Sequence, residues 1–260
     1  MQKKIVVAML LAAAFSPAGT LADGPPLTRR GWEVGLQTAK YHYEEPDFAE
    51  LSGNRGGLVA AFTEINPSRV FFRIDGRASY GNLHYEGSGT KDDNPDWIYE
   101  VRAVVGRDFL WGSRISVSPY LGLGYRHLYS DVRGYTSTGA IGYRRYSNYA
   151  YAPVGITLRA KLGNDWALVP TIEYDAFLGG SQYSQLSDTG LGYSDASNTQ
   201  NHGRGYRAHI LAESKHWTFG PWLHYWNIED SDIVYIGFSS GAMEPANWTR
   251  EYGVEVRYRF

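Results

Sequence analysis

The chain has 260 residues, a formal net charge of −2 and no cysteine, with 21 tyrosines, 8 tryptophans and 30 glycines. So balanced a charge argues against nucleic acid as a partner. The lack of cysteine removes any disulfide framework, which a chain of this length does not need in order to bury a core.

The first 22 residues, MQKKIVVAMLLAAAFSPAGTLA, combine a basic start at Lys3 and Lys4, an apolar run from Ile5 to Phe15 and small residues ahead of Asp23. That layout predicts a cleaved secretory signal at 1–22, too short to span a bilayer. Residues 23–260 then form a single exported domain, since no linker or break in composition follows. Ten alternating segments come next, near 31–43, 51–64, 68–84, 96–109, 114–130, 143–162, 166–182, 204–216, 218–229 and 247–260. Short connections at 64–68, 109–114, 162–165 and 214–218 alternate strictly with longer ones at 44–51, 85–95, 130–142, 183–203 and 230–246. Tight turns at one end and long loops at the other are the asymmetry of a transmembrane β-barrel. Segments of 12 to 17 residues also exceed the roughly 5–6 of an ordinary globular strand. The expected fold is all-β: a transmembrane, antiparallel, up-and-down barrel of about ten strands, with both termini at the short-turn end.

Each segment sorts into two rows, because successive side chains on a strand face opposite ways. Ile115, Val117, Pro119, Leu121, Leu123 and Tyr125 oppose Ser116, Ser118, Tyr120 and Arg126. Val70, Phe72 and Ile74 oppose Arg73, Asp75 and Arg77. In the last segment Tyr252, Val254, Val256, Tyr258 and Phe260 oppose Glu251, Glu255, Arg257 and Arg259. The apolar rows suit lipid, and Trp32, Trp97, Trp111, Trp166, Trp217 and Trp248 fall at segment ends, where interfacial girdles belong. The polar rows carry Arg73, Asp75, Arg77, Glu100, Arg102, Arg126, Arg159, Glu173, Asp175, Arg207, Glu213, Glu255 and Arg257. Acids and bases are nearly equal in number, so they are expected to pair inside a narrow or plugged lumen. Barrels of about eight strands are filled by side chains, whereas open channels need about 16–18.

The signal sequence, the alternating strands and the terminal EVRYRF resemble Gram-negative outer-membrane β-barrel proteins. The resemblance implies location in the outer membrane with periplasmic termini, contact with outer-membrane lipid and lipopolysaccharide, and insertion by the barrel-assembly machinery. Tyr258 and Phe260 would form the assembly signal. A second resemblance is to the omptins, ten-stranded outer-membrane proteases. KDDNPDW (91–97) is similar to their acidic pair, and 141–168 is similar in layout to their sixth and seventh strands. It implies Asp92, Asp93 and Asp96 as the candidate catalytic residues. The facing wall should then carry Asp-x-His, but Asp175 is followed two places later by Phe177, and no histidine occurs between His127 and His202. A general base near neutral pH is therefore missing. The seven histidines are scattered singly, which leaves no metal site, and no cofactor motif occurs. The expectation is a surface protein with long outer loops, in a binding or membrane-structural role toward an extracellular ligand. The alternatives are an omptin-related hydrolase with altered site residues and a narrow solute channel.

Overall fold

A computed structural model describes residues 26–163, 165–236 and 241–260; the signal-peptide expectation for 1–22 lies outside the described residues. The strands in chain order are β1 (Gly31–Glu45), β2 (Ala49–Ile65), β3 (Val70–Gly87), β4 (Gly89–Arg107), β5 (Phe109–Trp111), β6 (Ile115–Tyr135) and β7 (Ile141–Leu162). They continue with β8 (Trp166–Gln185), β9 (Ala196–Gln200), β10 (Gly203–Glu213), β11 (Trp217–Ile228), β12 (Val234–Tyr235), β13 (Gly241–Ala242) and β14 (Asn247–Arg259). Consecutive strands pair antiparallel around a ring, and β14 pairs β1 from Glu33↔Arg259 to Glu44↔Trp248, which closes it. Ten staves result. Strand β5 pairs β6 beyond the end of β4, and β9 and β10 both pair β8 as two halves of one stave. Strands β12 and β13 make a separate two-stranded ribbon.

The alternation read from the sequence becomes the inside and outside of this barrel. Outward residues such as Leu36, Val101, Leu121, Leu123, Ile172 and Val254 are exposed, and together they form an apolar belt. Trp32, Trp111, Trp217 and Phe260 ring it at the short-turn end. At the other end Tyr80 packs at a tilt on Trp97 and Tyr206 on Tyr225, while Tyr225 stacks on Trp248. An exposed apolar belt between two aromatic girdles is the surface of a membrane-spanning barrel, in which the ring also satisfies every strand's backbone without a free edge. Among the described residues no helix is long and apolar enough to cross a membrane.

The segments read as long loops are in large part strand. β1 and β2 stay paired as far as Glu45↔Ala49, β3 and β4 as far as Gly87↔Gly89, and β6 and β7 as far as Tyr135↔Ile141. These hairpins stand beyond the girdle, where the outward face leaves lipid for water and the polar/apolar alternation that marks a membrane strand disappears. Irregular backbone among the described residues is concentrated instead at 186–195, 229–233 and 243–246.

Candidate functional site

The lumen is filled in layers. Register puts Arg77 opposite Glu100 and Asp75 opposite Arg102 on β3 and β4, within direct cross-strand reach. Arg77 donates to Glu100 at 2.6 Å and to both oxygens of Glu251 at 2.8 and 3.0 Å, and Arg126 adds a third donor to Glu251 at 3.3 Å. Arg207 bridges Asp175 (2.7 Å) and Glu100, and Tyr151 donates its hydroxyl to Glu100 at 2.7 Å. Arg102 binds Asp75 at 2.9 and 3.2 Å and also reaches Glu173, which accepts from Tyr120 at 2.7 Å. His209 and His224 face each other at 3.1 Å between their Nε2 atoms, with Glu255 3.8 Å from His209. Glu255 in turn pairs with Arg257 at 2.9 Å.

Toward the short-turn end, Glu33 accepts from Arg73 at 2.7 Å and from Arg259, while Glu213 gathers Arg29, Arg159 and Arg259. A cavity of about 120 Å³ remains among these groups. The segment ahead of β1 crosses this end: Thr28 donates its backbone N–H and its hydroxyl to Asp108, each at 2.7 Å.

Toward the hairpin end the filling turns apolar. Leu83, Ile98 and Tyr151 have no exposure, and Trp226 and Ile228 have 1%. Trp226 meets Tyr151 edge-on at 5.0 Å and stacks on Tyr149 at 6.3 Å, with Phe177 against Tyr149 at 5.7 Å. The Arg126 guanidinium lies 5.3 Å from the Trp226 ring, which joins the aromatic layer to the charged one. Above the plug, Arg145 of β7 is clamped by Glu45 of β1 and by Glu244 from the segment after β13. Burial and the neighbouring Glu45 push the Glu244 carboxyl up to about 7, against the pull of Arg145.

The three candidate catalytic acids do not converge. Asp92 is exposed and bonds the Nδ1 of His84 at 2.6 Å. Asp93 has a positive φ of 58° and sits with Asp92 where the β3–β4 register shifts. Asp96 alone turns inward, and it is paired with the buried Arg55, whose guanidinium lies 3.5 Å over the Tyr41 ring. Asp175 lies deep in the charged layer, fully buried. Among the described residues no group of three or more histidine or acidic side chains could hold a metal ion. Nothing in the sequence singles out Arg55, although it shares the row of Gly57 and Val59, or Arg145, Glu45 and Glu244, which lie where no periodic pattern marks inside from outside.

The chain resembles the outer-membrane protease OmpT from Escherichia coli, with a TM-score of 0.56 at 10% identity over 88% of this chain and 97% of that one. It has the outer-membrane β-barrel fold. Other solved barrels superpose more loosely. They include the translocator domain of the autotransporter NalP from Neisseria meningitidis (TM-score 0.40, 11% identity, 90% of each chain) and Neisserial surface protein A (TM-score 0.35, 15% identity, 88% and 97%). No protein-family model and no curated protein matches the sequence. With this fold the belt is the lipid-facing surface expected of an outer-membrane barrel, and the short turns and the hairpins stand at its two ends.

Proposed function

We propose that this protein is a non-conducting outer-membrane barrel that works through its outer surface, as a binding platform and not as a hydrolase or a pore. The observation that carries this reading is the occluded lumen. A layer of paired charges and a layer of packed aromatic side chains lie in series across it. The side chains of both layers are largely buried, and Asp92, Asp93 and Asp96 offer no joint site to a substrate.

What stands free is the outer end. Phe48, Tyr135, Leu191, Tyr193, Ile233 and Tyr235 are all exposed there, spread over four connections. Acids and bases surround them, among them Asp188, whose carboxyl is held below its usual range by hydrogen bonds from Arg144. Exposed aromatic anchors within a polar rim are the composition of a recognition surface. The outward side chains of Lys40, Arg204 and Arg250 stand near the outer girdle, which supports contact with phosphorylated lipid headgroups such as those of lipopolysaccharide.

Two measurements test the reading. The purified barrel in planar bilayers should give no discrete conductance steps; reproducible unitary steps would overturn it. The barrel in nanodiscs should retain glycans or surface proteins on an array, and the triple variant Tyr135→Ser, Tyr193→Ser, Tyr235→Ser should lose that retention. Equal retention by both would remove the outer aromatic side chains from the proposal.

A further inference from the structure

At the short-turn end the barrel wall has a step. Strand β3 starts at Val70, opposite Arg107 at the end of β4, while β5 runs on past both and pairs β6 alone. The other edge of β5 has no strand partner among the described residues, and an open cleft of about 430 Å³ lies between β5 and the β2–β3 turn. Pro67, Phe109 and Leu110 supply its apolar wall, and Arg69 and Arg107 its charge. Arg69 keeps a left-handed φ of 64° that glycine or asparagine would adopt at lower cost. Its N–H donates to the Asn66 carbonyl at 2.9 Å, and its carbonyl accepts from the Asp108 N–H at 2.9 Å, which ties the turn to the start of β5. The Arg107 guanidinium lies 5.5 Å from the Phe109 ring. Both arginines thus stand on one lip.

Neither is neutralised in place. Among the described residues no acid lies within ion-pair distance of Arg69 or Arg107, whereas Arg30 at the same end is paired with Glu64 at 2.9 Å. Asp108, the one carboxylate in the lining, is 2% exposed and accepts from Thr28 and Ser118 on the lumen side. Counted as a full negative charge, it still leaves two cations against one anion. The neighbours fix the depth of the cleft in the bilayer. Phe72 and Val105, opposite each other and two residues nearer the middle of the belt, are exposed, and Trp111 on β5 belongs to the girdle. The cleft therefore opens at headgroup level, and its apolar wall continues into the lipid-facing belt. Water or a free anion would serve the arginines but not that wall, and an acidic peptide would have to enter the bilayer to cover Phe109. A phospholipid meets both parts: its phosphate oxygens accept from the two guanidinium groups, and its chain covers Phe109 and Val105. We infer that this cleft is a binding site for an anionic phospholipid from the leaflet at the short-turn end.

The test uses the folded barrel in detergent and native mass spectrometry, with phosphatidylglycerol as the probe and phosphatidylcholine as the zwitterionic control. One phosphatidylglycerol per barrel should stay bound at lipid concentrations where phosphatidylcholine is lost. An arginine beside an anionic headgroup is worth about fivefold in affinity. Arg69→Gln combined with Arg107→Gln should therefore weaken retention by about 25-fold. Phe109→Ser should weaken it as well, because the chain loses its contact. Lys215→Gln removes an exposed base from another turn of the same end and should leave it unchanged. Glycerol phosphate, which carries the phosphate without the chains, should not compete. No retained lipid on the unmodified protein, or equal retention of the two lipids, would overturn the inference whether or not the variants fold. So would full competition by glycerol phosphate, which reduces the cleft to an anion site, and equal weakening by Lys215→Gln, which means diffuse attraction to the whole rim. A barrel dimer in place of the lipid adduct would assign the cleft to a second copy instead. The lumen enters none of these readouts, so the site stands or falls apart from the reading of the barrel as closed.

Discussion

Arg102 divides one guanidinium between Asp75 and Glu173, with 15% of its side chain exposed. Cutting it back to alanine takes the nearest cation from Asp75, leaving Arg73 at 3.7 Å, and leaves Glu173 to Arg207 and Tyr120 alone, in a poorly solvated lumen. Breaking a buried pair in this way costs about 3–5 kcal/mol, against about 0–1 kcal/mol for an exposed pair. Arg102→Ala is therefore expected to lower barrel stability by about 3 kcal/mol in urea unfolding from liposomes. A change below about 0.5 kcal/mol would mean that water screens these charges as it does at a surface. Residues like Arg102 were legible in the sequence because a strand's period of two assigns them a face, and an antiparallel neighbour then supplies the partner. Glu251 shows the limit of that logic. Its row was clear, but its binding to Arg77 and Arg126 joins β14 to β3 and β6 across the lumen, and alternation along a strand carries no information about contacts across a barrel.

The element that a local sequence pattern conceals most is the described part of the connection before β14, residues 229–236 and 241–246. It folds back on the outer end through a small ribbon. Asn198 donates to the carbonyls of Asp232 and Ala242 at 2.8 and 3.0 Å, and Ser231 hydroxyl accepts from the Glu244 N–H at 2.8 Å. Its deepest anchor is Glu244, buried against Arg145, Glu45 and the Tyr43 hydroxyl. Two carboxylates around one guanidinium favour keeping a proton on one of them. Glu244 holds its proton up to about 7, while the same group in an unfolded chain releases it near 4.5. Between those values the docked state binds more protons than the undocked one. Its contribution is thus complete below about pH 4.5 and is lost as pH rises through 7, with a ceiling of about 3 kcal/mol. External protease should cut within 229–236 faster at pH 8 than at pH 5, relative to Glu244→Gln, which keeps the hydrogen bonds without the titration. Equal pH dependence in both proteins would remove Glu244 as the cause. The outer hairpins lack the sequence mark of a strand for a different reason: beyond the girdle the outward face meets water instead of lipid, so it no longer has to be apolar.

Across the whole molecule the two lumen layers act in series, and they fail in different ways. The outer layer is held by dispersion and burial around Trp226 and Tyr151. Removing such a side chain opens a cavity and costs about 3–5 kcal/mol, most of it confined to that layer. The inner layer is held by charge pairs that join β3, β4, β8, β10 and β14, so it does not depend on the aromatic side chains for its neutrality. Tyr151 belongs to both, because its hydroxyl donates to Glu100 while its ring packs on Trp226. Trp226→Ala should therefore lower stability and still give no conductance, since the charged layer below it is complete. Tyr151→Phe keeps the ring and removes the hydroxyl, and it too should stay closed. Trp226→Ala combined with Arg207→Ala breaches both layers, and it is the variant in which current should first appear, provided it still inserts as a heat-modifiable barrel. Conductance from Trp226→Ala alone would show that the aromatic layer is the sole barrier and that the paired charges beneath it line a water-filled passage.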